Sequence, residues 1–169
     1  MSNTAGLFEK LYNCLKSQEE IIDRLITAGE EQLRALKENN LDDLNKAMRE
    51  QESCAAEMER TEQQRLLLQA SLEEALKIDK CVTLSKLLPF APEAIRISLQ
   101  QLLKDLPKKL ASLGEINALN AALIKKALLV NGRLIRILYF LHSGLSTTYG
   151  IKGEIENKSQ PRSVLNKSV

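Results

Sequence analysis

The chain has 169 residues, 24 of them Lys or Arg and 22 Asp or Glu, for a formal charge of +2. A sum so near neutrality weighs against nucleic acid as the main partner, because phosphate binding wants a concentrated basic face. Hydrophobic residues make up 44% of the chain, yet aromatics are only 4% and tryptophan is absent. Leucine and alanine carry the apolar content, and Glu, Gln, Lys and Arg the polar content; this mixture favours helix and gives a sheet little support. The charge is unevenly spread: residues 1–78 hold 10 basic and 16 acidic side chains, a balance of −6, and residues 79–169 hold 14 and 6, a balance of +8. Helices of opposite sign can attract one another within a bundle. Cys14, Cys54 and Cys81 are odd in number, far apart and in no CxxC pair, so they read as reduced thiols of a cytoplasmic protein. No basic segment followed by an apolar one opens the chain, so a cleaved signal peptide is not expected. The greasiest stretch, Ala127 to Leu141, is interrupted by Arg133 and Arg136 and is too short to span a bilayer.

The first predicted helix covers residues 5–38, with Leu7, Leu11, Leu15, Ile22, Leu25, Ile26, Leu33 and Leu36 on one stripe. Asn39-Asn40 interrupts it. Asn40 suits the N-cap of a second helix, and Asp42 and Asp43 suit the positive end of its dipole. That helix runs over 41–77 through Leu44, Met48, Ala55, Met58, Leu68, Leu72 and Leu76, and its polar middle predicts a single narrow stripe. From Ile78 to Pro92 the pattern weakens. Leu84, Leu87 and Leu88 suggest a short helix closed off by Pro89 and Pro92. A third long helix starts at Pro92-Glu93, with Pro107 expected to kink or divide it near Asp105, and ends at Ser143-Gly144. From Tyr149 onward the composition predicts a flexible tail.

Helices this long, joined by a two-residue break and a short irregular segment, must lie antiparallel to their neighbours in sequence. The expected fold is all-α: an elongated antiparallel three-helix bundle with coiled-coil character over residues 1–148, and a tail over 149–169.

Within the third helix Leu113, Asn117, Asn120, Ile124, Ala127, Asn131, Leu134, Leu138, Leu141 and Leu145 recur in steps of four and three, the a/d seam of a packed helix. Asn117, Asn120 and Asn131 have two readings: register control by a buried polar residue, or amides facing a groove and bonding a partner's backbone. The helix also carries surplus apolar surface. At 100° per residue, the apolar side chains from Ile124 to Leu141 cover an arc of roughly 200°, about twice an ordinary core stripe. Part of that surface needs a second subunit or a ligand. Leu128, Ile135, Leu138, Tyr139 and Leu141 are the candidate contacts.

For catalysis the chain offers little. His142 is the single histidine and has no cysteine near it in sequence; acidic pairs such as Glu19-Glu20 and Glu73-Glu74 are adjacent and point to different faces. No Glu-x-x-His motif and no glycine-rich loop is present, so neither a metal nor a cofactor is expected. Tyr149, beyond the last seam leucine and followed by Gly150 and Gly153, can either anchor an interface or fold back to cap the bundle.

Asn117-x-x-Asn120-x-x-Leu123, an amphipathic run, and then Thr148-Tyr149-Gly150-x-x-Gly153 resemble the FlgN family of flagellar type III export chaperones. The likeness is specific over residues 113–155 and elsewhere rests on length and three-helix layout. It implies a cytoplasmic chaperone that holds hook–filament junction proteins, the hook-associated proteins FlgK and FlgL, and brings them to the export gate. The late third helix would then clasp the client's C-terminal region, and Tyr149 with Gly150 and Gly153 would dock on the gate protein FlhA. Pro107 and the leucine-rich final stretch with Arg133 and Arg136 depart from the family's pattern. The rival reading is a structural coiled-coil adaptor or homodimer that seals its surplus surface by itself.

Overall fold

In a computed structural model of the protein, residues 2–78 and 83–145 are described, with side chains for 4–78 and 83–140. Helix α1 spans Ser2–Glu38, α2 Leu41–Leu76, α3 Leu84–Leu87 and α4 Glu93–Leu145; a 3₁₀ turn, Leu88–Phe90, follows α3. Among the described residues there is no strand. The expected breaks at Asn39-Asn40 and Pro89–Pro92 stand where the sequence put them. The chain divides into two compact units, Met1–Ile124 and Lys125–Val169.

The helix ends follow from local chemistry. Asn39 takes a left-handed φ of 56°, which lets Asn40 N donate back to Ala35 O at 3.0 Å and close α1. Asn40 then turns its side chain forward and accepts from Asp43 N at 3.2 Å, capping α2. At the far end Lys77 is also left-handed, with φ 57°, and Ile78 N reaches Glu73 O at 3.1 Å. Helix α4 opens at Glu93, with Arg96 N bonding Pro92 O at 2.8 Å.

Residues 1–124 form a three-helix bundle in up-down-up order. Cys14, Gln18 and Arg24 of α1 meet Thr61, Glu62 and the Glu50/Glu57 pair of α2, so these helices run antiparallel. Glu19, Gly29 and Gln32 of α1 meet Lys109, Ile116 and Asn120 of α4, so these two run the same way. The core at the end near the α2–α4 connection is apolar: Phe8, Leu11 and Leu15 pack with Leu72, Leu87, Ala91, Leu99 and Leu102. Leu87 is buried among them, which is what the short α3 contributes.

Three expectations are corrected. In α2 the inward stripe is Ala47, Gln51, Cys54, Met58, Thr61, Arg65, Leu68 and Leu72, all buried or half-buried in steps of four and three, while Met48 and Ala55 are exposed. One residue of offset is 100° of rotation. Leu44, Met58, Leu68, Leu72 and Leu76 stand buried or half-buried as expected, but small and polar side chains fill much of the rest of the stripe, so hydrophobicity alone picked Met48 and Ala55 there. In α4 the packed seam is Ile95, Leu99, Leu102, Leu106, Lys109, Leu113, Ile116 and Asn120, and Asn117 lies exposed beside it. Both phases share Leu113 and Asn120, and they part at Ile116 against Asn117. The third correction concerns one half of the expectation for Pro107: α4 is not divided there. Pro107 is exposed, so water can satisfy the freed carbonyl, and Leu102 and Leu106 before it and Lys109 after it hold the helix on α1.

Candidate functional site

Two features of α4 stand apart from ordinary core packing, one in each unit. The first is a polar layer at residue 120. Asn120 is 3% exposed, and its Nδ2 donates to Gly29 O and to Gln32 Oε1, both at 2.9 Å. Gln51 Nε2 of α2 donates to the same Gln32 oxygen at 3.1 Å, so one amide oxygen on α1 receives both other helices. A backbone carbonyl can only accept, which fixes the nitrogen of Asn120 on that side. Its Oδ1 is then buried with no donor among the described residues. Gly29 admits this close approach: a Cβ there would stand 2.7 Å from Ile116 Cγ2. Of the three asparagines singled out in the sequence, Asn120 is the buried one; Asn117 and Asn131 are exposed. Gln32, Gln51 and Gly29 were missed, though glutamine at two seam positions was a usable signal.

Ion pairs tie the same bundle together. Lys109 Nζ reaches Glu19 Oε1 at 3.0 Å and Asp23 Oδ2 at 2.7 Å. Arg24 spans Glu50 and Glu57, each at 2.7 Å. Lys16 and Lys109 beside Glu19 hold its carboxyl below the usual range. The thiols of Cys14 and Cys54 are pushed up by burial, which keeps them protonated and poor nucleophiles at neutral pH. Among the described residues no group of His, Cys, Asp and Glu could hold a metal ion, and no helix is long and apolar enough to cross a membrane.

The second feature is the stretch of α4 from Lys125 to Phe140. Leu128, Leu129, Val130, Leu134, Ile135, Ile137, Leu138, Tyr139 and Phe140 are each between 46% and 69% exposed. Four of the five candidate contacts, Leu128, Ile135, Leu138 and Tyr139, fall on one face of this stretch and are 63–67% exposed. The side chain of Leu141 lies outside the described residues, as do Tyr149, Gly150 and Gly153. Tyr139 and Phe140 meet edge to face, with ring centroids 6.5 Å apart. An apolar arc of roughly 200° is about twice what an ordinary amphipathic helix carries, and such a surface favours being covered. Exposed apolar surface of this extent is what another apolar helix can lie against.

A family model described as FlgN protein matches residues 1–157 of the chain. No curated protein and no solved structure matches it.

Proposed function

The chain belongs to the FlgN family of flagellar export chaperones, and we propose that it holds hook–filament junction proteins of the FlgK and FlgL kind in the cytoplasm and delivers them to FlhA at the export gate. The observation that carries this reading is the uncovered apolar run from Leu128 to Phe140. An export client must be kept from folding or associating before secretion, and its amphipathic terminal segment needs an apolar surface to lie on. Helix-in-groove burial supplies one: a client helix laid along Leu128, Ile135, Leu138 and Tyr139, with Leu141 at the end, removes both apolar faces from water. Tyr149, with Gly150 and Gly153, is the proposed contact to FlhA.

The test is isothermal titration of the full chain with the C-terminal segment of a FlgK-like protein. Replacing Ile135 and Tyr139 together by serine should weaken binding at least about tenfold, since buried anchors dominate such interfaces. Helicity should stay unchanged, because both side chains are exposed in the free chain. Unchanged affinity would move the client to α1 and α2. A concentration-dependent dimer that the double variant dissolves, with no client binding, would favour the self-sealing adaptor.

A further inference from the structure

The charges on the apolar run say what kind of helix it takes. From Ile116 to Gly153 the chain carries no Asp or Glu, and between Lys125 and Phe140 the ionisable charges are Lys125, Lys126, Arg133 and Arg136. Among the described residues none of these four has a carboxylate within ion-pair distance, a condition they share with Lys10, Arg34, Arg49 and Arg60 of the bundle, while Lys16, Arg24, Arg65 and Lys109 are paired. Their angular placement is orderly. At 100° per residue, Lys126 and Arg133 fall about 20° apart, and Lys125 and Arg136 also fall about 20° apart. The first pair borders one edge of the roughly 200° apolar arc and the second pair the other. The apolar face is thus framed on both sides by cations.

We infer that the partner of this surface is an amphipathic helix whose apolar stripe is edged by carboxylates, a specification that rests on the client reading above. Laid along Leu128, Ile135 and Tyr139, which stand within about 100° of Lys125 and Arg136, such a helix buries its stripe while one acidic edge meets that pair; Lys126 and Arg133 lie on the opposite side of α4 from this face. A helix with basic edges would bring like charges together at Lys125 and Arg136. A second copy of this chain fits less well. Its acidic α1 exposes no large apolar side chain among the described residues, and α2 exposes Leu41 and Met48 near one end and Leu66 and Leu67 near the other with no exposed large apolar side chain between them, so it offers no continuous stripe.

The test uses the full chain and two synthetic helical peptides with one identical Leu/Ala stripe, edged by Glu in one and by Lys in the other. The Glu-edged peptide should bind at least about threefold more tightly at low salt, as two modest ion pairs would give, and the margin should shrink in 0.5 M NaCl. Lys125→Glu/Arg136→Glu should narrow or invert the preference, and Lys126→Glu/Arg133→Glu should change it less, with helicity checked by circular dichroism. Equal affinity for both peptides would overturn the acidic specification while leaving an apolar client surface in place. Failure of both peptides and of the FlgK-like segment would overturn the client reading itself. Binding to vesicles containing phosphatidylglycerol in preference to either peptide would overturn the inference in favour of a lipid surface. Self-association abolished by the charge reversal, without peptide binding, would overturn it in favour of a second copy.

Discussion

Asn120 and Gln32 share a hydrogen bond of 2.9 Å across α4 and α1, and because Gln32 Oε1 also accepts from Gln51, this one contact joins all three long helices. The bond is asymmetric in its worth. Gln32 keeps a donor if Asn120 is lost, whereas Asn120 leaves its own Oδ1 buried and unpaired. The layer therefore contributes more to register than to stability.

Asn120→Leu and Asn120→Asp should separate these contributions. Leucine removes the unpaired oxygen and fills a similar volume, so stability should change by no more than about 1 kcal/mol in either direction. Aspartate removes both donors and sets a carboxylate against two oxygens, and the cost should exceed about 2 kcal/mol at neutral pH. Urea unfolding at constant m-value reads the difference. Equal losses would mean that side-chain volume, not polarity, governs the layer.

Gly29→Ala tests the close approach beneath it. Alanine in a helix interior gains up to about 1 kcal/mol over glycine. Here its Cβ would stand 2.7 Å from Ile116 Cγ2, a methyl attached directly to a branched carbon, so helix α4 or the Ile116 rotamer must move. Overpacking of this kind costs about 1–3 kcal/mol, and a net loss of about 1 kcal/mol is expected. In Ile116→Ala the clash disappears, and Gly29→Ala should then be stabilising. A double-mutant cycle with no coupling would contradict the contact.

Much of the bundle was legible because its helix boundaries are written in residues with one strong preference. Asn40 capped the helix it was expected to cap, and the prolines before Glu93 marked the start of α4. Phase was harder to read. The α4 seam has leucine or isoleucine available at several neighbouring positions, so Leu113 and Asn120 fit two heptad phases, and only packing against Gly29 selects Ile116. In α2 the hydrophobic pattern found the inward Met58, Leu68 and Leu72 but passed over Ala47, Gln51, Cys54 and Thr61, which are small or polar. Exposure of the apolar run was legible for a different reason. Its apolar arc is about twice an ordinary core stripe, and excess of that size shows in the sequence itself; the sequence did not show that Ile124, Leu134 and Leu138, read there as packed seam residues, are exposed too.

Acid should weaken the bundle in part through Glu19. Its carboxyl is held low first by Lys16 and then by Lys109. A folded-state pKa below the unfolded value of about 4.3 contributes stability that is present above that pH and lost as pH falls through the folded value. Glu19→Gln should therefore flatten the decline of stability between about pH 5 and pH 3 relative to the unchanged chain. Lys16→Met should flatten it more than Lys109→Met does, matching the order of the two causes. The carboxyls of Glu50, Glu57 and Glu62 are also held low, by Arg24 and Arg65, so a shallower acid decline must remain in every variant. Chemical unfolding at stepped pH measures all four chains. An acid limb identical in Glu19→Gln and the unchanged chain would show that the Lys16–Glu19–Lys109 cluster contributes nothing to folding.

Tyr149 carries the sharpest expectation on the proposed reading. In sequence it follows Thr147-Thr148, precedes Gly150, and lies beyond the apolar run that ends the described side chains. Tyrosine joins a large apolar ring to one polar tip at a cost of two torsions, which is the chemistry of an interface anchor. Glycine beside it can adopt either sign of φ, so the ring can enter a pocket without the chain opposing it. Tyr149→Ala should then weaken binding of the client-loaded chaperone to the cytoplasmic domain of FlhA by about tenfold or more and lower secretion of junction proteins. Client affinity and the thermal midpoint should stay nearly unchanged, because an anchor used only at the gate has no part in either. Surface plasmon resonance against immobilised FlhA domain, with and without the FlgK-like segment, separates these readouts. A large fall in thermal midpoint with FlhA binding preserved would assign the tyrosine to capping the bundle instead.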